Sequence, residues 1–122
     1  MVERSLAADV LTFRLAEEQA TVSASSRRGE GPAARTLVKN GPMRVTLISL
    51  APGGEIKEHK AEGPITVHTL SGAMQFNTPE KSFELTAGDL LSLGAGIRHS
   101  VVSEEGATFL LTIAAPGSNE AG

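Results

Sequence analysis

Two different hydrophobic patterns divide the chain near residue 32. Before it, apolar side chains recur at the helical spacing i, i+4, i+7, at Leu6, Val10 and Phe13. Because Ser5 is a suitable N-cap, this spacing predicts a helix from residue 5 to about residue 20. Residues 10–13 would also suit a strand, since bulky and β-branched side chains favour extended backbone. The Ser-, Arg- and Gly-rich stretch that follows, from residue 23 to residue 32, is typical of a loop.

After residue 32, short runs of alternating or β-branched residues are separated by turns rich in Gly, Pro and Asn. This succession of short runs and turns predicts about nine or ten short strands. The clearest of them are residues 35–38, 44–50, 56–59, 65–70, 73–77, 82–85, 90–93, 99–103 and 107–114. Strands do not alternate with helices, so a parallel α/β sheet is not expected. The predicted fold is all-β, an antiparallel β-barrel or double-sheet jelly roll with an N-terminal α-helix.

The length of 122 residues fits one domain. We expect an N-terminal helix and loop over residues 1–34, a barrel over residues 35–115, and a flexible tail over residues 116–122.

Composition removes several classes of function. The chain has no cysteine, which excludes disulfides, zinc ribbons and thiol nucleophiles. Its net charge is −3, with no basic stripe and no Trp or Tyr, so nucleic acid is not an expected partner. No apolar run approaches the ~20 residues of a membrane helix, and the first residues do not read as a signal peptide. We therefore expect a cytoplasmic protein with no membrane partner.

The spacing of glycines and histidines carries the strongest signal of function. Gly53, His59 and Gly72 form one gapped pattern, and Gly88, Gly96 and His99 form a second, fifteen residues further on. These patterns resemble the two motifs of the cupin family. The first reads Gly, five residues, His-x-His, three or four residues, Glu, six residues, Gly. The second reads Gly, five residues, Pro-x-Gly, two residues, His, three residues, Asn. The resemblance covers about residues 35–114 and implies a small single-domain cupin barrel.

The chain departs from these motifs where the family holds a metal ion. The second histidine position is Ala61 and the glutamate position is Ile65, while Gly94 and Ser103 replace the proline and asparagine of the second motif. The resemblance thus leaves His59 and His99 as candidate ligands of a divalent metal such as Zn, Fe, Mn or Ni. Specific sites for these metals usually have three or more protein ligands, so we expect the metal site to be mostly lost.

The remaining histidine, His68, is the less favoured third ligand. It lies one position out of register with Val67 and Thr69, which share the face of Ile65, so it points away unless a bulge changes the alternation. Glu62, in the preceding turn, is a further side chain that could complete the site.

An apolar pocket is predicted around the two remaining ligand positions. Its expected lining is His59, Ala61, Ile65, Val67, Phe76, His99 and Val101. Such a pocket suits a small apolar or aromatic molecule that is oriented by a few polar groups. The alternative is a filled core, because small barrels often pack their interior with side chains.

Three functions follow from these features. The first is a small-molecule-binding or sensory cupin with the two histidines as polar anchors. The second is a metal-dependent cupin enzyme of the dioxygenase or isomerase type, with the metal on His59 and His99. The third is a structural or partner-binding barrel with a filled core. No catalytic residue is assigned. The resemblance to small cupins also implies a homodimer, paired through an exposed edge formed by residues 35–38 with Arg44 and Thr46, or through sheet faces.

Overall fold

The computed structural model describes residues 5–27 and 30–115, so the predicted tail at residues 116–122 lies outside the described residues. The described part contains one helix and eight strands. Their bounds are α1 (Leu15–Ser25), β1 (Ala33–Asn40), β2 (Met43–Leu50), β3 (Gly54–His59), β4 (Ile65–Asn77), β5 (Ser82–Thr86), β6 (Leu90–Leu93), β7 (His99–Ser103) and β8 (Ala107–Ala114).

All strand pairs are antiparallel, and the strand order is β1-β2-β8-β4-β7-β3, with β5 and β6 also paired to β4. The first sheet contains β1, β2, β8, β6 and the first half of β4. The second sheet contains β3, β7, β5 and the second half of β4. The predicted all-β, jelly-roll-like fold with an N-terminal helix is confirmed.

Strand β4 belongs to both sheets. Residues 65–68 pair with β6 and with β8, whereas residues 75–77 pair with β5 and with β7. The prediction of separate strands at residues 65–70 and 73–77 was therefore wrong, and the described residues form eight strands rather than nine or ten. The chain passes from one sheet to the other through an irregularity between Thr69 and Ser71 and a positive φ of 78° at Gly72. This irregularity bends the strand without ending it.

The barrel interior is a packed apolar core. Alternate residues of β2, β4, β7 and β8 point into it, as expected for strands whose side chains alternate between faces. The buried members are Ile48, Leu50, Ile65, Val67, Met74, Phe76, Leu85, Val101, Ala107 and Phe109.

A second apolar cluster covers the outer face of the first sheet. Val22 of α1 packs there with Leu37 and Leu47, all three buried. At the edge of this contact, the Nε of Arg35 lies 2.8 Å from a carboxylate oxygen of Glu18. The helix therefore packs on the outer sheet face, leaving the barrel interior to the strands.

The predicted bounds of the helix were wrong. Residues 5–14 form no helix, and Val10 is 79% exposed. Instead, the Leu6 carbonyl accepts a hydrogen bond of 2.8 Å from the Lys39 amide, which holds this segment along the edge of β1. The helix extends to Ser25, into the predicted loop, because burial of Val22 outweighs the weak helix propensity of Thr and Ser.

The expected dimer edge needs a partial correction. Arg44 and Thr46 lie on β2, which is paired with β1 on one side and β8 on the other, so they are not at an edge. Strand β1 stands at the end of the strand order. Association of two copies through this edge stays a prediction.

Candidate functional site

The two motif histidines lie side by side at one end of the barrel. His59 ends β3, His99 begins β7, and the two are register partners. Their ring centroids are 4.3 Å apart, with an angle of 60° between the ring planes. We call this end of the barrel the mouth. It is bordered by residues 60–64 and 94–98, which are joined by a hydrogen bond of 2.8 Å from the Gly96 amide to the Ala61 carbonyl.

The two rings differ in burial. His59 is exposed, whereas His99 is only 4% exposed. On the inner side, the ring of His99 is stacked on Phe76, with centroids 5.2 Å apart and planes 10° apart. Phe76 is itself 1% exposed, so it forms the floor beneath the histidine pair.

Backbone carbonyls orient both imidazoles in the same way. The Nδ1 of His59 lies 2.9 Å from the Lys57 carbonyl oxygen, and the Nδ1 of His99 lies 2.9 Å from the Ile97 carbonyl oxygen. Because a carbonyl oxygen only accepts hydrogen bonds, each Nδ1 carries the proton. In its neutral form, each ring then has an unprotonated Nε2 with a free lone pair.

The environment of His99 favours its neutral form. Burial lowers the pKa of His99 below the ordinary 6.5, and the nearby His59 ring lowers it further, while the hydrogen bond to the Ile97 carbonyl acts in the opposite direction. Burial is the largest of these effects, because a charged imidazolium loses hydration when it leaves water.

This arrangement predicts the titration of His99. We expect its Hε1 resonance to titrate below pH 6.5, and its pKa to rise in His59→Gln while remaining below 6.5, because the larger effect of burial remains. NMR can test this directly, since the chain has only three histidines and single variants assign each resonance. A pKa of His99 that is unchanged in His59→Gln would contradict an electrostatic effect of His59 on His99.

The same titration affects stability. Between the lowered pKa of folded His99 and the unfolded value near 6.5, the unfolded chain binds more protons than the folded chain. The free energy of unfolding should therefore fall as the pH drops through this window, and the contribution of His99 to this slope should disappear in His99→Phe.

The apolar residues predicted to line a pocket belong to the interior core or pack against it, and one of them, Phe76, contacts the ring of His99. Ile65, Val67, Phe76 and Val101 belong to the interior core, and Ala61 packs against it while partly exposed. The four core members are each 4% exposed or less, so their side chains fill the space between the sheets. They therefore form an apolar base beneath the mouth.

The third histidine is not part of this group. His68 is paired with Leu110 in the first sheet, and Leu110 belongs to the outer apolar cluster. Within residues 5–27 and 30–115, no three His, Asp or Glu side chains are grouped so that they could hold a metal ion, so neither His68 nor Glu62 completes a site.

The remaining motif positions have backbone roles. Gly53, Gly72, Gly88 and Gly96 all have positive φ values. At the position of the family's asparagine, Ser103 donates a hydrogen bond of 2.6 Å to the Ala73 carbonyl and accepts one of 2.9 Å from the Gly106 amide. The chain thus keeps the turn glycines of the two motifs, although two of the four ligand positions no longer hold a ligand.

Comparison with known proteins agrees with this geometry. The family model described as "Cupin domain" matches residues 46–113, more than half of the chain. The chain belongs to the cupin family. No match was found among curated proteins.

Solved structures share the fold over most of this cupin. A conserved protein of unknown function from Streptococcus pyogenes is 24% identical, with a TM-score of 0.72 over 95% of this chain and 96% of the other. A cupin superfamily protein from Desulfitobacterium hafniense is 16% identical, with a TM-score of 0.73 over 93% and 99%. A cupin 2 conserved barrel domain protein from Leptotrichia buccalis is 27% identical, with a TM-score of 0.67 over 72% and 42%.

The residues of this cupin do not fit the family's metal. Two imidazoles remain of the four expected ligands, and at the glutamate position Ile65 is 4% exposed within the apolar core. An apolar side chain there supplies no donor atom and none of the negative charge that offsets a divalent cation. No chemical step is therefore assigned to a metal.

A groove lies on the protein surface away from the mouth. This groove of about 480 Å³ runs along β4, β5 and β7 and is lined by residues including Gln75, Glu84, Glu104 and Glu105, but by neither mouth histidine. Sequence reasoning missed this groove, since its residues lie on three separate strands and turns.

Across the described ranges, no helix is long and apolar enough to span a membrane.

Proposed function

We propose that this cupin binds a small organic molecule at the mouth of its barrel, with His59 and His99 as the polar anchors. The observation that carries the proposal is the pairing of an exposed and a buried imidazole, 4.3 Å apart, at the end of an otherwise apolar core. Convergent polar groups against apolar walls are the usual composition of a small-molecule site.

The packed interior supports a ligand at the mouth rather than deep in the barrel. Phe76 and Val67 are each 1% exposed, and Phe76 is stacked directly beneath His99. A bound molecule would contact the exposed ring of His59, the outer edge of His99 and the partly exposed Ala61. A metal is not needed for this role.

A fragment screen tests the proposal. Purified, untagged protein in the presence of a chelator should show a higher melting temperature with some neutral fragments, because a ligand that binds only the folded state stabilises it. This increase should be lost in the double variant His59→Ala/His99→Ala. It should persist in His68→Ala, the matched control, because His68 is paired with the outer cluster and not with the mouth.

Other outcomes would favour the alternative functions. Near-stoichiometric Zn, Fe, Mn or Ni in protein purified without chelator, absent from the double variant, would favour the metal-dependent enzyme. If no fragment raises the melting temperature and no metal is bound, the packed core is the dominant feature, and a structural or partner-binding barrel becomes the better explanation.

A further inference from the structure

We infer that the mouth selects neutral molecules that donate a hydrogen bond, such as a phenol or an enol, in preference to carboxylate anions and to ethers of the same shape. This inference rests on the proposed function, because it specifies what the histidine pair would bind. It is carried by the two carbonyl contacts that fix the direction of each ring.

Both rings present an acceptor to the ligand. With each Nδ1 proton directed at a backbone carbonyl 2.9 Å away, the atom left for an incoming molecule is Nε2. Neither Nε2 has a hydrogen-bond partner among residues 5–27 and 30–115. His99 is 4% exposed and lies at the mouth beside its exposed register partner His59.

Electrostatics disfavours an anion at this site. A carboxylate has only acceptor oxygens, so opposite an unprotonated Nε2 it would place one lone pair against another. The ring N–H group cannot receive it either, since each Nδ1 proton is directed at a backbone carbonyl 2.9 Å away. Charged side chains of both signs flank the pair, since Lys57, Lys60 and Glu62 are close to His59 in the sequence. Arg98, next to His99, lies 3.8 Å from Glu58 in an exposed ion pair.

The surroundings favour an apolar body on the ligand. Ala61 packs against the apolar core to which Ile65 belongs, and Phe76 of the same core is stacked on the ring of His99. A hydroxyl group on an aromatic ring combines a strong donor for Nε2 with an apolar face for these side chains. A methyl ether of the same ring keeps the apolar face but has no proton to donate.

Phenol, anisole and benzoate form a matched set of probes. We expect phenol to bind about ten-fold more tightly than anisole, corresponding to the loss of roughly one hydrogen bond that leaves its partner unsatisfied. Benzoate should bind more weakly than phenol at pH 7.5. Binding is measured in chelator by NMR titration, with the Hε1 resonances of His59 and His99 as the site-specific readout.

Variants separate this inference from the proposed function. His59→Phe, at an exposed position, should reduce the ratio of the anisole and phenol dissociation constants without affecting folding. His68→Phe should leave this ratio unchanged. Equal binding of phenol and anisole at the mouth, or tighter binding of benzoate, would overturn the inference while the proposed function stands. If none of the three probes binds, the inference fails; if the fragment screen also finds nothing, the proposed function fails with it.

Discussion

Gly72→Ala is expected to destabilise this cupin more than any other single substitution considered. Gly72 has a φ of +78°, and a Cβ at this position would overlap the Gly106 carbonyl oxygen and lie 2.8 Å from the Cα of Ala107. These atoms belong to the backbone, so no change of rotamer can relieve the overlap. We expect a loss of more than about 4 kcal/mol, a large part of the ~5–15 kcal/mol that stabilises a typical domain.

Gly88→Ala is the matched control for this substitution. Gly88 also has a positive φ, of +95°, but a Cβ there meets nothing within 4 Å. Its cost should be limited to the conformational strain of about 1–2 kcal/mol for an alanine in the left-handed region. Urea denaturation followed by circular dichroism measures both variants, and equal losses in the two would show that the close approach at Gly72 is unimportant.

Phe76→Ala should have the next largest effect, on both stability and the site. Phe76 is buried in the barrel core and stacked on His99 with centroids 5.2 Å apart. Truncation to alanine should lower the free energy of unfolding by about 3–5 kcal/mol, because it leaves a cavity in a packed core. It should also shift the Hε1 resonance of His99, which would lose the ring beneath it.

The neighbouring phenylalanine provides the comparison. Phe83 is the register partner of Phe76 on β5, but it is only partly buried. Phe83→Ala should cost less and leave the His99 resonance near its original position. Urea midpoints and proton spectra of the two variants test this, and the prediction fails if Phe83→Ala is the more damaging change.

The strands could be predicted because their signals are local. Alternating side chains and turn glycines fall in the same short windows that form the ladders, as in β6 and β7, whose predicted bounds are those observed. The helix bounds depend on contacts from far along the chain. Val22 is buried against Leu37 and Leu47, and Leu6 is held by Lys39, and no local pattern records either contact.

The candidate site was predictable only in part. The motif spacing singles out His59 and His99, and the register of β3 with β7 places them side by side. The orientation of their rings depends on the Lys57 and Ile97 carbonyls, and every residue type carries a carbonyl, so the sequence holds no signal for it. The stacking of Phe76 on His99 likewise depends on how β4 pairs with β7.

The sharing of β4 between the two sheets constrains how a molecule can enter. Ladder bonds to four strands converge on this one segment, so neither sheet can swing away from the other without breaking bonds on both. Separation of the two sheets is therefore an unfavourable way to give a molecule access to the histidine pair. A molecule therefore reaches the histidine pair from the mouth, between the loops at residues 60–64 and 94–98, whose spacing is fixed by the hydrogen bond from the Gly96 amide to the Ala61 carbonyl.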